Sequence, residues 1–357
     1  MKSAVGFLKQ LEQIIGPTAE ELLQHKCSTI PAGMLHRPAP DSYDSLWPLT
    51  DHSPRVLCSL AAIYNHGRLG GTGYLSILPV DQAVSFSAGA VFGEQPSYMD
   101  GGQLLELAIE GGCSAIATTF GVLGSLSRRF AHRIPFICKL NYSEMLSYPN
   151  RGDQTMFGTV RRAWELGAVA IGATVYFGSE EAHRQIVEVS QAFEAAHSLG
   201  LATVLWAYVR NDAIVSPTLD GTLAADVTGQ ANHIAATLMA DIIKQKLPEA
   251  CDAFTALHFG APSDLLYNKL LSDHPIDRTR YQVANCYLGR IGLISSGGPS
   301  EGEGDLASAL RTAIINKRAG GSGLMLGRKA FSRPMAEGIE LLHAVQDVYL
   351  NPLVRIA

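Results

Sequence analysis

The stretch Ala168-Val169-Ala170-Ile171-Gly172-Ala173-Thr174-Val175-Tyr176-Phe177-Gly178-Ser179-Glu180-Glu181 reads as a passage from a buried strand into a helix. Its apolar part is nearly continuous rather than alternating, as in a parallel strand covered on both faces. Gly178 ends the run. Ser179 has the short hydroxyl side chain of an N-cap, and Glu180 and Glu181 place carboxylates where a first helical turn favours them. Ile186, Val189, Phe193, Ala196 and Leu199 then fall on one helical face, and Gly200 closes the segment.

The same rhythm runs outward in both directions from about residue 72. Strand-like runs are predicted at Gly73–Asp81, Cys113–Gly121, Ile134–Asn141, Ala168–Gly178, Ala202–Arg210, Ala240–Lys246, Gly292–Gly298 and Gly323–Arg328. Amphipathic stretches separate them. One starts at Asp305, turns Leu306, Leu310, Ala313 and Ile314 inward, carries Lys317 and Arg318 in its last turn, and stops at Gly320-Gly321. Eight strands alternating with helices specify a (β/α)₈ TIM barrel, with a doubly wound sheet as the runner-up. The rhythm loosens between Leu247 and Arg290, where an insertion carries Pro248, Pro262 and Pro275. Residues 1–70 hold Pro31, Pro38, Pro40, Pro48 and Pro54 among helical pieces. They are expected to form a mainly helical extension packed on the barrel domain, residues 71–357.

The chain has 357 residues, 47% of them hydrophobic, which is ample for one large core. Its formal net charge of −5, without a long basic run, argues against nucleic acid or an anionic membrane surface as partner. No apolar stretch is long enough to span a membrane. The N-terminal segment carries Lys9 and Glu12 within its apolar pattern and reads as an amphipathic helix rather than a signal peptide. Six scattered cysteines without a C-x-x-C read as free thiols, which fits a cytoplasmic protein. Asn141-Tyr142-Ser143 matches a glycosylation sequon, taken here as accidental.

Catalytic groups of β/α barrels sit at the C-terminal strand ends. Here those ends carry Asp81, Thr118, Thr119, Lys139, Asn141, Tyr176, Trp206, Tyr208, Lys244, Lys246, Ser296-Gly297-Gly298 and Gly327-Arg328. Trp206 and Tyr208 share a strand face, as do Lys244 and Lys246. Burial lowers a lysine's pKa and makes its neutral, nucleophilic amine accessible, and a phenol nearby can carry the proton. Lys244 is the deeper of the two lysines and Lys246 the rim charge, although spacing alone cannot choose between them. The plain reading of Lys244 is a structural lysine paired with a carboxylate such as Asp81. The plain reading of Trp206 and Tyr208 is an aromatic pair in the strand–helix layer. Glycine sites on the last two strands, with Arg328, suit a phosphate.

Neither a Walker-type phosphate loop nor H-E-x-x-H occurs, and Gly71-Thr72-Gly73 precedes a strand instead of following one. His183, His197 and His343 fall in helical patterns and read as surface or packing residues. Neither metal nor cofactor is expected in the site.

Six segments carry a resemblance to a known family: Gly71–Gln82, Phe136–Asn141, Thr174–Glu181, Val204–Tyr208, Ala240–Lys244 and Leu326–Phe331. Over these the chain resembles the bacterial long form of class I fructose-bisphosphate aldolase, of the archaeal-type or DhnA-like group. The resemblance implies a barrel that reversibly cleaves fructose 1,6-bisphosphate to dihydroxyacetone phosphate and glyceraldehyde 3-phosphate without metal. It makes Lys244 the Schiff-base lysine, Tyr208 the main acid/base and Asp81 a second proton carrier. Trp206 and Lys139 would shape the pocket, and Ser296, Gly297, Gly298, Gly327 and Arg328 would hold a phosphate. Homo-oligomers are usual in the group. A Lys139 cation is further expected to help hold Lys244 neutral. Departures fall at Ala83, Val84, Ser85 and Phe86, where relatives commonly carry a glycine, a glutamate and a histidine or phenylalanine, and at Tyr142, often histidine. They bear on substrate preference and rate. Rival readings are imine chemistry on another phosphorylated ketose, a sugar-phosphate-binding relative without turnover, and a metal-dependent lyase.

Overall fold

The computed structural model describes residues 4–147, 152–257 and 263–357; Pro262 of the expected insertion lies outside them. Eight parallel strands close into a barrel. They are β1 (Leu75–Pro79), β2 (Ala115–Thr118), β3 (Phe136–Lys139), β4 (Ala170–Phe177), β5 (Ala202–Val209), β6 (Ile242–Gln245), β7 (Gly292–Ser296) and β8 (Gly323–Met325). Each lies inside one of the runs read from the sequence. Neighbours in sequence are neighbours in the barrel, and β8 pairs with β1 to close it. The doubly wound alternative is thereby excluded.

Strand parity divides the core in two. Leu75, Ile77, Ala117, Ile137, Val204, Trp206, Ile242 and Ile294 belong to one apolar cluster, inside the barrel. Their alternates, among them Leu78, Ile116, Cys138, Ile171, Leu205 and Ile243, pack under the surrounding helices. Helix Pro54–Tyr64 floors the barrel. Ser53 caps it by accepting from the Val56 amide, Pro54 opens it, and buried Val56, Leu60, Ile63 and Tyr64 join the inner cluster. Each of these aliphatic side chains contributes ~1.5–3 kcal/mol by leaving water. The floor closes the N-terminal end, so the polar strand ends gather at the other.

One local reading changes. The helix after β4 spans Ala182–Ser198 and does not start at Ser179, whose hydroxyl is buried and caps nothing. The chain makes a further turn first, with the Ser179 amide donating to Tyr176 O at 3.2 Å. Glu181 is engaged by Arg184 at 3.2 Å. The turn lets buried Gln185 accept from the Tyr176 amide at 2.8 Å, so a helix side chain caps the strand. The helix Asp305–Ala319 forms as expected and ends in left-handed Gly320. Its basic last turn is buried. Lys317 is buried and donates to the carbonyls of Val348, Tyr349 and Asn351 at 2.8–3.1 Å, while Arg318 reaches those of His25 and Arg355. His197, read as a surface or packing residue, packs: its Nε2 lies 3.1 Å from Asp241.

Two short antiparallel pairs, Asn141–Tyr142 with Thr155–Met156 and Val215–Ser216 with Leu219–Asp220, extend loops after β3 and β5. The cysteines are free thiols. Among the described residues, no helix is long and apolar enough to cross a membrane.

Candidate active site

Lys244 lies on the inner face of β6, one alternation beyond Ile242, and is 5% exposed. Its Nζ stands 5.3 Å from the centroid of the Trp206 ring and 5.9 Å from that of Tyr208. These aromatics therefore point into the barrel, not into the strand–helix layer. The indole needs room that only Gly172 provides: a Cβ there would lie 2.6 Å from the Trp206 ring. Burial drives the Lys244 ammonium down to about 8, Asp81 opposes the fall, and Arg328 adds to it. Among the described residues, no carboxylate comes within ion-pair distance of Lys244.

The carboxylate expected beside that lysine is engaged elsewhere. Asp81 Oδ2 is 3.5 Å from Lys139 Nζ, with both side chains almost wholly enclosed. Asp81 Oδ1 is buried and has no hydrogen-bond partner, a state that costs free energy until a donor arrives. Thr118 Oγ1, at the end of β2, is likewise without one. Lys139 also donates to Asn141 O at 2.8 Å and faces the Trp206 ring at 5.3 Å and the Tyr142 ring at 4.7 Å. Burial lowers Lys139 too, to about 8; Asp81 opposes and Lys244 reinforces the fall. Repulsion between the two lysines is mutual, so each disfavours the other's ammonium, and Arg328 adds to the effect on Lys244.

The Tyr208 hydroxyl lies 3.4 Å from Ser296 Oγ. Burial pushes the phenol up to about 12; Ser296 lowers it, Asp81 raises it, and Arg210 and Arg328 lower it. Lys246 is half-buried, lowered by burial and by Arg210. The glycine sites are divided in use. The Gly297 amide donates to Met325 O at 3.0 Å, so the strand ladder occupies it. Gly298, with φ +75° and open space where a Cβ would stand, is at the rim. Gly327 is forced by close approach, since a Cβ would lie 2.5 Å from Pro79 O.

A buried amine beside an indole and a phenol, with a partnerless carboxylate oxygen in the same enclosure, is equipped to condense with a carbonyl and to move protons. The profile of the DeoC/LacD family of aldolases matches residues 75–333. The chain belongs to this aldolase family. A Chlamydia pneumoniae protein named a probable class 1 fructose-bisphosphate aldolase is 54% identical over 97% of this chain and 99% of its own length. Among solved structures, the fructose-bisphosphate aldolase from Slackia heliotrinireducens has a TM-score of 0.69 at 22% identity, covering 86% of this chain and 91% of that one. An archaeal fructose-1,6-bisphosphate aldolase, with its catalytic lysine bound to a carbinolamine intermediate, has a TM-score of 0.63 at 22% identity, covering 82% and 99%. At that identity the two structures speak for the fold.

Two contributors to this aldolase-family site escape a reading along the chain. Gly172 is one, read only as part of an apolar run. Asn141, read as a polar strand end, donates to Thr174 O at 2.8 Å and accepts from the Thr174 amide at 2.7 Å, bolting the end of β3 to β4. Asp305 is the second that escapes. Fully buried, it accepts from Lys329 (3.0 Å), Arg333 (2.7 Å), Ser300 (2.6 Å) and the Glu301 amide (2.7 Å), tying the loop after β7 to the one after β8. The segment Leu326–Phe331 contains Lys329, but nothing local links it to Asp305.

Proposed function

We propose that this protein is a metal-independent class I aldolase that reversibly cleaves fructose 1,6-bisphosphate to dihydroxyacetone phosphate and glyceraldehyde 3-phosphate. The observation that carries the reading is the enclosed amine of Lys244 between Trp206 and Tyr208, with no ion-pairing carboxylate among the described residues. The names of the near relatives support the substrate.

The neutral Lys244 amine adds to the C2 carbonyl. Asp81, whose Oδ1 lacks a donor, relays the proton that lets the carbinolamine hydroxyl leave as water. The resulting iminium draws in the electron pair of the C3–C4 bond as it breaks. Resting Tyr208 is a neutral phenol; once water has left, its proton passes to Asp81, by then a carboxylate, and the positive iminium beside its ring favours the phenolate. Tyr208 takes the C4 hydroxyl proton and then returns it to C3 of the enamine. Arg328 and the Gly298 and Gly327 turns hold a phosphate, and Trp206 with Lys139 walls the pocket. The enzyme works as a cytoplasmic homo-oligomer in glycolysis or gluconeogenesis.

Borohydride reduction with dihydroxyacetone phosphate, followed by peptide mass mapping, tests the assignment. A three-carbon phosphate adduct is expected on the Lys244 peptide and not in Lys244→Ala. An adduct at Lys139 or Lys246, or none in an active preparation, overturns it.

A further inference from the structure

At the closed end of the barrel, away from the proposed chemistry, three segments meet on one carboxylate. Asp241, immediately before β6, lies 2.7 Å from His52 Nε2 through Oδ1 and 3.1 Å from His197 Nε2 through Oδ2. His52 comes from the segment ahead of the floor helix, and His197 from the last turn of Ala182–Ser198. The ligating atoms of all three lie within 4.8 Å of one another. Zinc held by nitrogen and oxygen at 2.0–2.1 Å has ligand atoms about 3.3 Å apart at the corners of its tetrahedron.

The surroundings favour a cation. Asp241 Oδ2 also accepts from the Thr203 amide at 2.8 Å and hydroxyl at 3.2 Å, and the charges acting on the carboxylate are the two imidazoles. On the far side of the His52 ring, Nδ1 stands 3.9 Å from Asp51. At that distance exposed Asp51 makes no hydrogen bond to the ring; it adds negative charge near it. A cavity of about 260 Å³, lined by His52, Asp51 and Asp241, gives solvent access and room for a water ligand, although Arg290 also lines it. The cluster of His25, Cys27 and Asp277 has comparable spacing but different electrostatics. There Arg280 and Arg318 both act on Cys27, and two guanidiniums oppose a divalent cation.

We propose that His52, His197 and Asp241 form a structural site for a divalent cation of the zinc class, clamping the segment ahead of the floor helix to the barrel. On binding, each neutral imidazole keeps its proton on Nδ1 and offers Nε2 to the metal. A proton held by a charged imidazole is released to solvent. The fourth position falls to water from the cavity. The site stands apart from Lys244, so it is independent of the proposed aldol chemistry.

The full-length protein, stripped with chelator and desalted, is titrated with zinc chloride while bound metal and the thermal unfolding midpoint are followed. One equivalent is expected. At zinc about a hundredfold above the dissociation constant, the midpoint rises by ~3 °C. The zinc-dependent increment is compared within each variant, so a lower starting stability does not obscure it. His52→Gln and His197→Gln lose it, exposed Asp51→Asn reduces it, and Cys27→Ser keeps it. Absence of a zinc-dependent rise in the unaltered protein, or its persistence in both histidine variants, overturns the proposal. Its loss in Cys27→Ser assigns the metal to the other cluster and does the same. Aldolase turnover in chelator is expected to be unchanged, and the borohydride test remains separate.

Discussion

Lys139 and Asp81 form an enclosed ion pair of 3.5 Å, and this pairing keeps Asp81 from neutralising Lys244. Burial and Arg328 disfavour the Lys244 ammonium, and Asp81 favours it. The Lys139 cation repels that ammonium as well, and removing Lys139 takes this repulsion away. In Lys139→Met the acid limb of the kcat/KM profile is therefore expected to move to higher pH, with lower activity at pH 7. An unshifted limb in an active variant counts against the coupling.

The unaltered enzyme should itself show that limb. With a pKa of about 8, about a tenth of Lys244 is neutral at pH 7, and the fraction grows tenfold per pH unit below 8. kcat/KM is expected to rise from pH 6 and level off above 8. A profile already flat from pH 6 contradicts an amine that must lose its proton first.

Tyr208→Phe separates imine formation from bond cleavage. The phenyl ring keeps the packing beside Lys244 but can carry no proton. A loss of 10²–10⁴ in kcat is expected, the usual range for one acid/base group, while borohydride still traps the adduct. Loss of trapping along with turnover would place Tyr208 in the condensation itself.

The strands were legible because buried parallel strands read as near-continuous apolar runs, and because parity ties Trp206 to Tyr208 and Ile242 to Lys244. What stayed hidden is set by partners distant in sequence. Asp81 and Lys139 meet across two strands, Gly172 matters only because the Trp206 ring lies over it, and Lys317 serves carbonyls more than thirty residues away. Ser179 misled for a local reason. It has the side chain of a cap, but the chain turns once more so that Gln185 can reach the end of β4.

Burying Lys244 should cost stability. Its ammonium is held at about 8 in the fold against 10.5 ordinarily, so the unfolded chain binds the proton more tightly between those values. Stability from this group therefore rises with pH from 8 to 10.5, and below 8 the full cost, on the order of 3 kcal/mol, applies. Lys244→Met is expected to be inactive yet more stable than the parent at pH 7 in urea unfolding. That advantage should shrink toward pH 10. A variant that is less stable at pH 7 would mean that the ammonium has compensating partners.

Asp305 allows the two loops after β7 and β8 to be tested together. Burial pushes its carboxyl up, but hydrogen bonds from Ser300, the Glu301 amide and Lys329 outweigh this and hold it below the ordinary value of 3.8. Its stabilising contribution is thus complete above that value and is lost only as pH falls through the lower, folded-state one. Asp305→Asn leaves buried Lys329 without its closest anion, a defect worth about 3–5 kcal/mol when one partner of a buried pair is removed. The expected result at pH 7 is a lower urea midpoint. The untied loops should also raise KM for the bisphosphate more than they lower kcat, because ground state and transition state hold the same phosphate. Retained stability would show that the Glu301 carboxylate, 3.9 Å from Lys329, closes in to pair with it. An unchanged KM with lost stability would confine Asp305 to folding and detach it from phosphate recognition.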